Sequence, residues 1–302
     1  MTELSRILCA VDFSAPARAA FRRALVLSRA HGAQLTVVHA VPKTRPFGLR
    51  ARERIAALEE LKRAAAAQGV RVRVRIQHGD PAGVIVLHAR ARPVDLVVLG
   101  THQRHGLLRL REGSVAERVA RRVESPTLIV PAGAGGGTNA DGPFRSLVCA
   151  TDFSGAAAAA MAQANALATQ WDARLMLVHV SETVSPRYPY HFLVPEYARL
   201  VAQEAWARLQ EAIPLADRQS RSVRSRVVSG RPAAEICRIA RDVDADLIVL
   251  GLTDRNAVAR RLVRSTTNRV MRKAPCAVLT VPELTTAVAT ATRAESLYRK
   301  AA

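Results

Sequence analysis

Residues 94–100 read VDLVVLG, and the pattern returns at 245–251 as ADLIVLG. A strand with one wet face alternates apolar and polar residues; a run apolar on both faces must be covered on both. The stretch therefore reads as a central strand of a parallel sheet, with helices above and below it. LTVVHA at 35–40 and LMLVHV at 175–180 read the same way, and each carries a histidine at the same place, His39 and His179.

The recurrence extends along the whole chain. RILCAVDFSAPARAAF at 6–21 matches RSLVCATDFSGAAAAAM at 145–161, setting Asp12-Phe13-Ser14 on Asp152-Phe153-Ser154 at an offset of 140. VDLVVLG and the closing runs ESPTLIVP and PCAVLTVP keep an offset of 151, so the second copy holds 11 extra residues between 181 and 229. SETVSPRYPYHFLVPEY, at 181–197, is the natural place for most of them. Within the first copy, strand patterns (ILCAVD, LTVVHAV, VRVRI, VDLVVLG, TLIVP) alternate with helical ones near 15–31, 49–68, 81–91 and 115–123. Alternating strands and helices with buried strands give a doubly wound α/β fold. The expectation is two tandem Rossmann-like domains, each a five-stranded parallel sheet with helices on both faces. Their boundaries are 1–132 and 144–283, with a Gly-rich linker at 133–143 and a tail at 284–302. PAGAGGGTNADGP at 131–143 is not a dinucleotide loop, because it lacks G-x-G-x-x-G and leads into Asn-Ala-Asp-Gly-Pro where a helix should start.

Composition narrows the function. Hydrophobic residues make up 49% of 302, enough for a core in each half. No window holds 18 uncharged apolar residues and no leader pattern opens the chain, which argues against membrane insertion and for the cytoplasm. The net charge is +20, carried by 41 arginines and 4 lysines. A nucleic-acid surface would cluster that charge among aromatics, yet aromatics are 4% and RVRVRI at 71–76 alternates arginine with valine like a strand with one solvated face. Cys9, Cys149, Cys237 and Cys276 form no CxxC pair and no zinc-ligand spacing, so they read as buried small side chains, and no metal site is expected.

In an open parallel sheet, ligands lie beyond the carboxyl ends of the strands, where the strand order reverses. Asp12, Val41 and Gly100 stand just after the first, second and fourth strands of the first copy. Gly113-Ser114 opens the last helix, and Ser114 with Glu117 fits the S-x-x-E capping box. The first amides of such a helix attract phosphate, and Gly113 keeps the approach open.

These residues resemble the universal stress protein family. The chain looks like a tandem of two universal stress protein A-type domains. Family members that bind ATP carry G-x2-G-x9-G-[ST] after the fourth strand and an Asp after the first. Here the motif reads Gly100-x2-Gln103-x9-Gly113-Ser114, with Asp12 in place. The resemblance implies that Asp12 and Val41 face adenine and ribose, and that Gly100, Gln103, Gly113, Ser114 and Val115 face ribose and phosphates of ATP, with or without Mg. The second copy reads Gly251-x2-Asp254-x9-Arg264-Ser265, and Ser181 replaces Val41. Its site (Asp152, Gly251, Ser265, Thr266) is expected to be weak or empty.

The parts for phosphoryl transfer are sparse: Glu112 and Glu117 are the acids near the motif, and His102 and His105 read as solvated loop residues. No catalytic residue is assigned, and at most a slow ATPase is expected. The alternative is a nucleotide-independent interaction protein whose motifs are relics. By family resemblance, the last strand of each copy pairs with the other, and the chain allows a further homodimer.

Overall fold

The computed structural model describes residues 4–42, 51–101, 114–131, 142–181, 194–213, 222–252 and 265–283. In the first unit β1 (Arg6–Ala10), α1 (Ala15–His31), β2 (Gln34–Val41), α2 (Ala51–Ala66) and β3 (Val72–His78) are followed by α3 (Pro81–Ala91), β4 (Leu96–Thr101), α4 (Val115–Ala120) and β5 (Thr127–Pro131). The second unit repeats this order: β6 (Ser146–Thr151), α5 (Gly155–Trp171), β7 (Arg174–Ser181), α6 (Val194–Glu211), β8 (Val223–Ser229), α7 (Pro232–Asp242), β9 (Leu247–Leu252), α8 (Thr266–Lys273) and β10 (Ala277–Pro282). Alternation of strand and helix thus produces the doubly wound α/β architecture expected, twice.

The strands lie in the order β3-β2-β1-β4-β5-β10-β9-β6-β7-β8, one ten-stranded sheet. Pairing inside each unit is parallel; β5 and β10 meet antiparallel, with Ile129 opposite Val278 and Leu128 opposite Leu279. The Thr280 hydroxyl adds a bond to the Thr127 carbonyl at 3.3 Å. Each of these two strands covers the other's open edge. The edges left over are β3 and β8, where Arg73, Arg75, Arg224 and Arg226 place charge along the exposed rows.

Period-2 alternation divides the core in two. Ile7 and Cys9 face a layer shared with α1, α2, α5 and α6, while Leu8 faces the layer of α3, α4, α7 and α8. Continuously apolar strands such as LVVL of β4, fully buried, serve both. All four cysteines are free and buried, and burial pushes the Cys9 and Cys149 thiols up to about 12, which leaves them inert as nucleophiles.

Helix starts follow local chemistry. Ser14 caps α1 by accepting the Ala17 N–H, and Pro16 sits in the first turn; Ser154 caps α5 the same way. The first turn of α1 then lies directly on β4. A Cβ added to Gly100 would meet Pro16 C at 2.4 Å and Ala17 N at 2.5 Å; one on Gly251 would meet Ala156 C at 2.5 Å. These glycines are required by the close approach of a helix backbone to a strand backbone. Gly100→Ala and Gly251→Ala should each cost about 1–3 kcal/mol, the usual penalty of overpacking, in urea unfolding. An unchanged midpoint would show that the helix can move away freely.

Candidate functional site

Strand order reverses between β1 and β4, where β1 is flanked by β2 on one side and β4 on the other and Ala10 stands opposite Leu99. Asp12 and Gly100 therefore emerge side by side at the switch point. Asp12 is held in a fixed pose: its Oδ1 accepts the Ser14 N–H at 3.0 Å and also the Ser14 hydroxyl. Among the described residues no donor meets Oδ2. Asp152 repeats the arrangement, Oδ1 accepting the Ser154 N–H at 3.0 Å.

Between aspartate and serine the chain takes a conformation that a bulky residue rarely adopts. Phe13 has φ 65° and Phe153 φ 62°. Each ring packs against the recurrent histidine, at 4.6 Å for Phe13–His39 and 4.7 Å for Phe153–His179. Each histidine in turn donates from Nδ1 to a strand-end carbonyl, His39 to Val11 at 2.8 Å and His179 to Thr151 at 2.9 Å. The histidines thus tie the left-handed turn to the second strand and aim the aspartate outward. Packing or a backbone hydrogen bond is the role expected from sequence for these recurring histidines, and each makes both. Burial lowers the His39 pKa, with the Arg54 charge adding to it, against the Val11 carbonyl and Asp12.

Val41 is fully buried, and its carbonyl accepts the Gly79 N–H at 2.9 Å. Ser114 caps α4, its hydroxyl accepting the Glu117 N–H at 3.2 Å, and Val115 is the first helical residue. Gln103 and Gly113 lie outside the described residues, as do His102, His105, Asp254 and Arg264. The reciprocal half of the capping box is absent. Glu117 does not reach back to Ser114; its carboxylate is buried and accepts both Arg272 Nε at 2.6 Å and Arg272 Nη2 at 2.9 Å from α8 of the other unit. A cross-unit guanidinium outcompetes the local amide because charge-assisted, two-point bonding is the stronger interaction. The duplicate of Glu117 is Asn268, so the pair has no acidic counterpart in the second copy.

A second ion pair joins helices at the first unit's mouth. Asp80 caps α3 by accepting the Gly83 N–H at 2.9 Å and bridges to Arg118 of α4 at 2.6 Å. Burial opposes ionisation of Asp80, but the Gly83 amide and Arg118 outweigh it and hold the carboxyl below its ordinary range. Arg231 takes this place in the second unit and makes no cap bond. There, Asp152, Gly251, Ser265 and Thr266 all line one cavity of about 410 Å³, together with Thr151 and Ser154.

Two copies of a doubly wound α/β unit, each with an Asx-turn aspartate and a serine-capped helix at the switch point, define a tandem Rossmann-like fold. The model of the universal stress protein family matches residues 3–131 and 143–282, and the chain belongs to that family. A universal stress protein of Archaeoglobus fulgidus superposes with a TM-score of 0.66 at 19% identity, covering 93% of this chain and 97% of that one. A Staphylococcus epidermidis relative is 34% identical over 141 residues, 46% of this chain and 84% of its own length. A Methanocaldococcus jannaschii relative is 40% identical over 74 residues, which span 24% of this chain and 44% of that protein.

Two outcomes follow from this geometry. Arg272→Ala leaves a buried carboxylate uncompensated and should cost about 2–3 kcal/mol, below the usual range for a buried pair because Arg272 is partly solvated. Adding Glu117→Gln should recover much of that loss; a double variant as unstable as the single would show that the pair is not the cause. The fold holds His39 below its unfolded value near 6.5, so its contribution is intact above about pH 6.5 and is lost as pH falls toward the depressed folded value. Unfolding at pH 7.5 and 5.5 should show a smaller loss in His39→Gln than in the parent chain. Equal losses would refute it.

Proposed function

We propose that the chain binds an adenine nucleotide, ATP foremost, at the strand carboxyl ends of the first unit. On this reading it acts as a stress-response protein through nucleotide-dependent conformation or association. The observation that carries the reading is Asp12, pinned through Oδ1 at the switch point with Oδ2 open. A fixed carboxylate oxygen there suits a ribose hydroxyl or an exocyclic amine, each a hydrogen-bond donor. Ser114, Val115 and the first amides of α4 would take phosphate oxygens, with Gly113 leaving room and Gln103 adding a donor. Gly100 supports this site indirectly, by letting α1 sit close. Among the described residues no three His, Cys, Asp or Glu side chains gather as a metal site. No catalytic residue is assigned.

The cavity in the second unit favours a second reading in which that unit also receives a ligand. Its volume, about 410 Å³, falls in the range of small-molecule sites. Asp152 contributes the same open carboxylate oxygen, and Ser265 and Thr266 begin α8. Arg231, next to the lining residue Pro232, brings a positive charge where the first unit has Asp80.

Acid extraction of the purified chain followed by nucleotide chromatography and mass measurement tests the first reading, and titration with ATP counts the sites. Asp12→Asn keeps the acceptor that fixes the turn but turns the other oxygen into a donor, and should weaken ATP binding at least tenfold. Asp152→Asn should leave the tighter site intact. Absence of co-purified nucleotide together with no rise in melting temperature on adding ATP would overturn the reading.

A further inference from the structure

At the opposite end of the first unit, the amino ends of β1, β2 and β3 form a hollow of about 160 Å³ beneath the last turn of α3. Arg6, Arg73, Arg75 and Arg92 line it, beside Gln34 and His88. Register explains the convergence: Arg6 lies opposite Gln34, and Thr36 opposite Arg73, so one row on one face collects residues of three adjacent strands. Among the described residues no carboxylate lines the hollow. Asp95, next in sequence to the lining residue Val94, turns its carboxylate onto the Ser5 and Arg6 amides at 2.7 and 2.8 Å. Among the described residues none of the four arginines has a carboxylate partner. His88 Nε2 is shut from solvent without a hydrogen-bond partner.

The duplicate supplies an internal control. There Arg226, in the place of Arg75, lies 4.0 Å from Asp242, which also bonds Arg238 at 2.7 Å. The first unit has Ala91 where Asp242 stands, and Ala91 lines the hollow. Arg6, His88 and Arg92 are answered by Ser146, Ile239 and Val243. The second unit's counterpart hollow, about 140 Å³, is lined by two arginines, Arg224 in the place of Arg73 and Arg174 in the place of Gln34. The second unit sets an acid beside Arg226 and lines its hollow with two arginines; the first has no acid at that position and lines its hollow with four. Like charges held together oppose folding unless an anion offsets them.

We infer that this hollow is a separate binding site for a phosphate-class oxyanion, inorganic phosphate or pyrophosphate. Guanidinium forks match tetrahedral oxyanions in two-point hydrogen bonds, and Gln34 adds a neutral donor. The space suits one or two phosphoryl groups and is smaller than the usual site for a larger organic ligand. Among the described residues no Phe, Tyr or Trp lines it, so the broad stacking platform that single-stranded nucleic acid uses is missing. The site is remote from the strand carboxyl ends and does not depend on the nucleotide reading.

The test is a calorimetric titration of the full chain with inorganic phosphate and, separately, pyrophosphate. Ala91→Asp restores the acid of the second unit within the hollow, and Ala66→Asp, at the exposed end of α2, makes the same charge change elsewhere. The parent and Ala66→Asp should bind one pyrophosphate alike, while Ala91→Asp binds at least tenfold more weakly. Should Ala91→Asp fail to fold, Arg6→Ser, which copies Ser146, must show the same weakening. Equal binding by Ala91→Asp and Ala66→Asp, or saturable binding of single-stranded DNA with none of phosphate or pyrophosphate, would overturn the site.

Discussion

The contact on which this architecture turns is the approach of α1's first turn to the backbone of β4 at Gly100, repeated by α5 on β9 at Gly251. With any side chain there, the helix would have to withdraw from the sheet, and the loop between β1 and α1 would move with it. That loop carries Asp12, Phe13 and Ser14. The glycine therefore sets where the aspartate stands relative to the end of β4, although the nearest atoms to it are helix backbone. A residue that family resemblance assigns to ribose and phosphate here has a packing duty as well.

A second layer of constraint holds the loop's shape. Phenylalanine in a left-handed conformation costs energy, which the surroundings must offset. The histidine does so in both units, its ring against the phenylalanine and its Nδ1 on a strand-end carbonyl. The turn could have been built with glycine; built with phenylalanine, it ties two strand ends together and makes the aspartate's direction depend on β2 or β7.

The fold was legible because burial leaves a direct mark. LVVL and LVCA are apolar at every position only because they are covered on both faces, and the recurrence at offsets of 140 and 151 marks two units. Asp12 and Ser114 were legible too, since caps and turns are local chemistry. Glu117 was misread for the same reason. S-x-x-E is a local signature, but the partner that claims the carboxylate, Arg272, lies 155 residues away and becomes a neighbour through the antiparallel meeting of β5 and β10. Asp95 and Asp246 escaped notice as well. They tie the starts of β1 and β6 by accepting amide N–H groups, a long-range bond with no sequence pattern.

Duplication followed by divergence gives each unit a different balance of charge. At the strand carboxyl ends Asp80 of the first unit pairs with Arg118 where the second has Arg231, and at the amino ends Ala91 of the first stands where the second has Asp242. A bidentate pair between buried Glu117 and partly solvated Arg272 joins the units, and Asn268 stands at the duplicate of Glu117. Because Glu117 sits in the first turn of α4, the serine-capped end of that helix and the facing α8 share one anchored contact. Amide hydrogen exchange with and without ATP tests the central claim most directly. The account predicts slowed exchange at the start of α4 and in the Asp12–Ser14 turn. Protection absent from both segments while ATP is bound would contradict it.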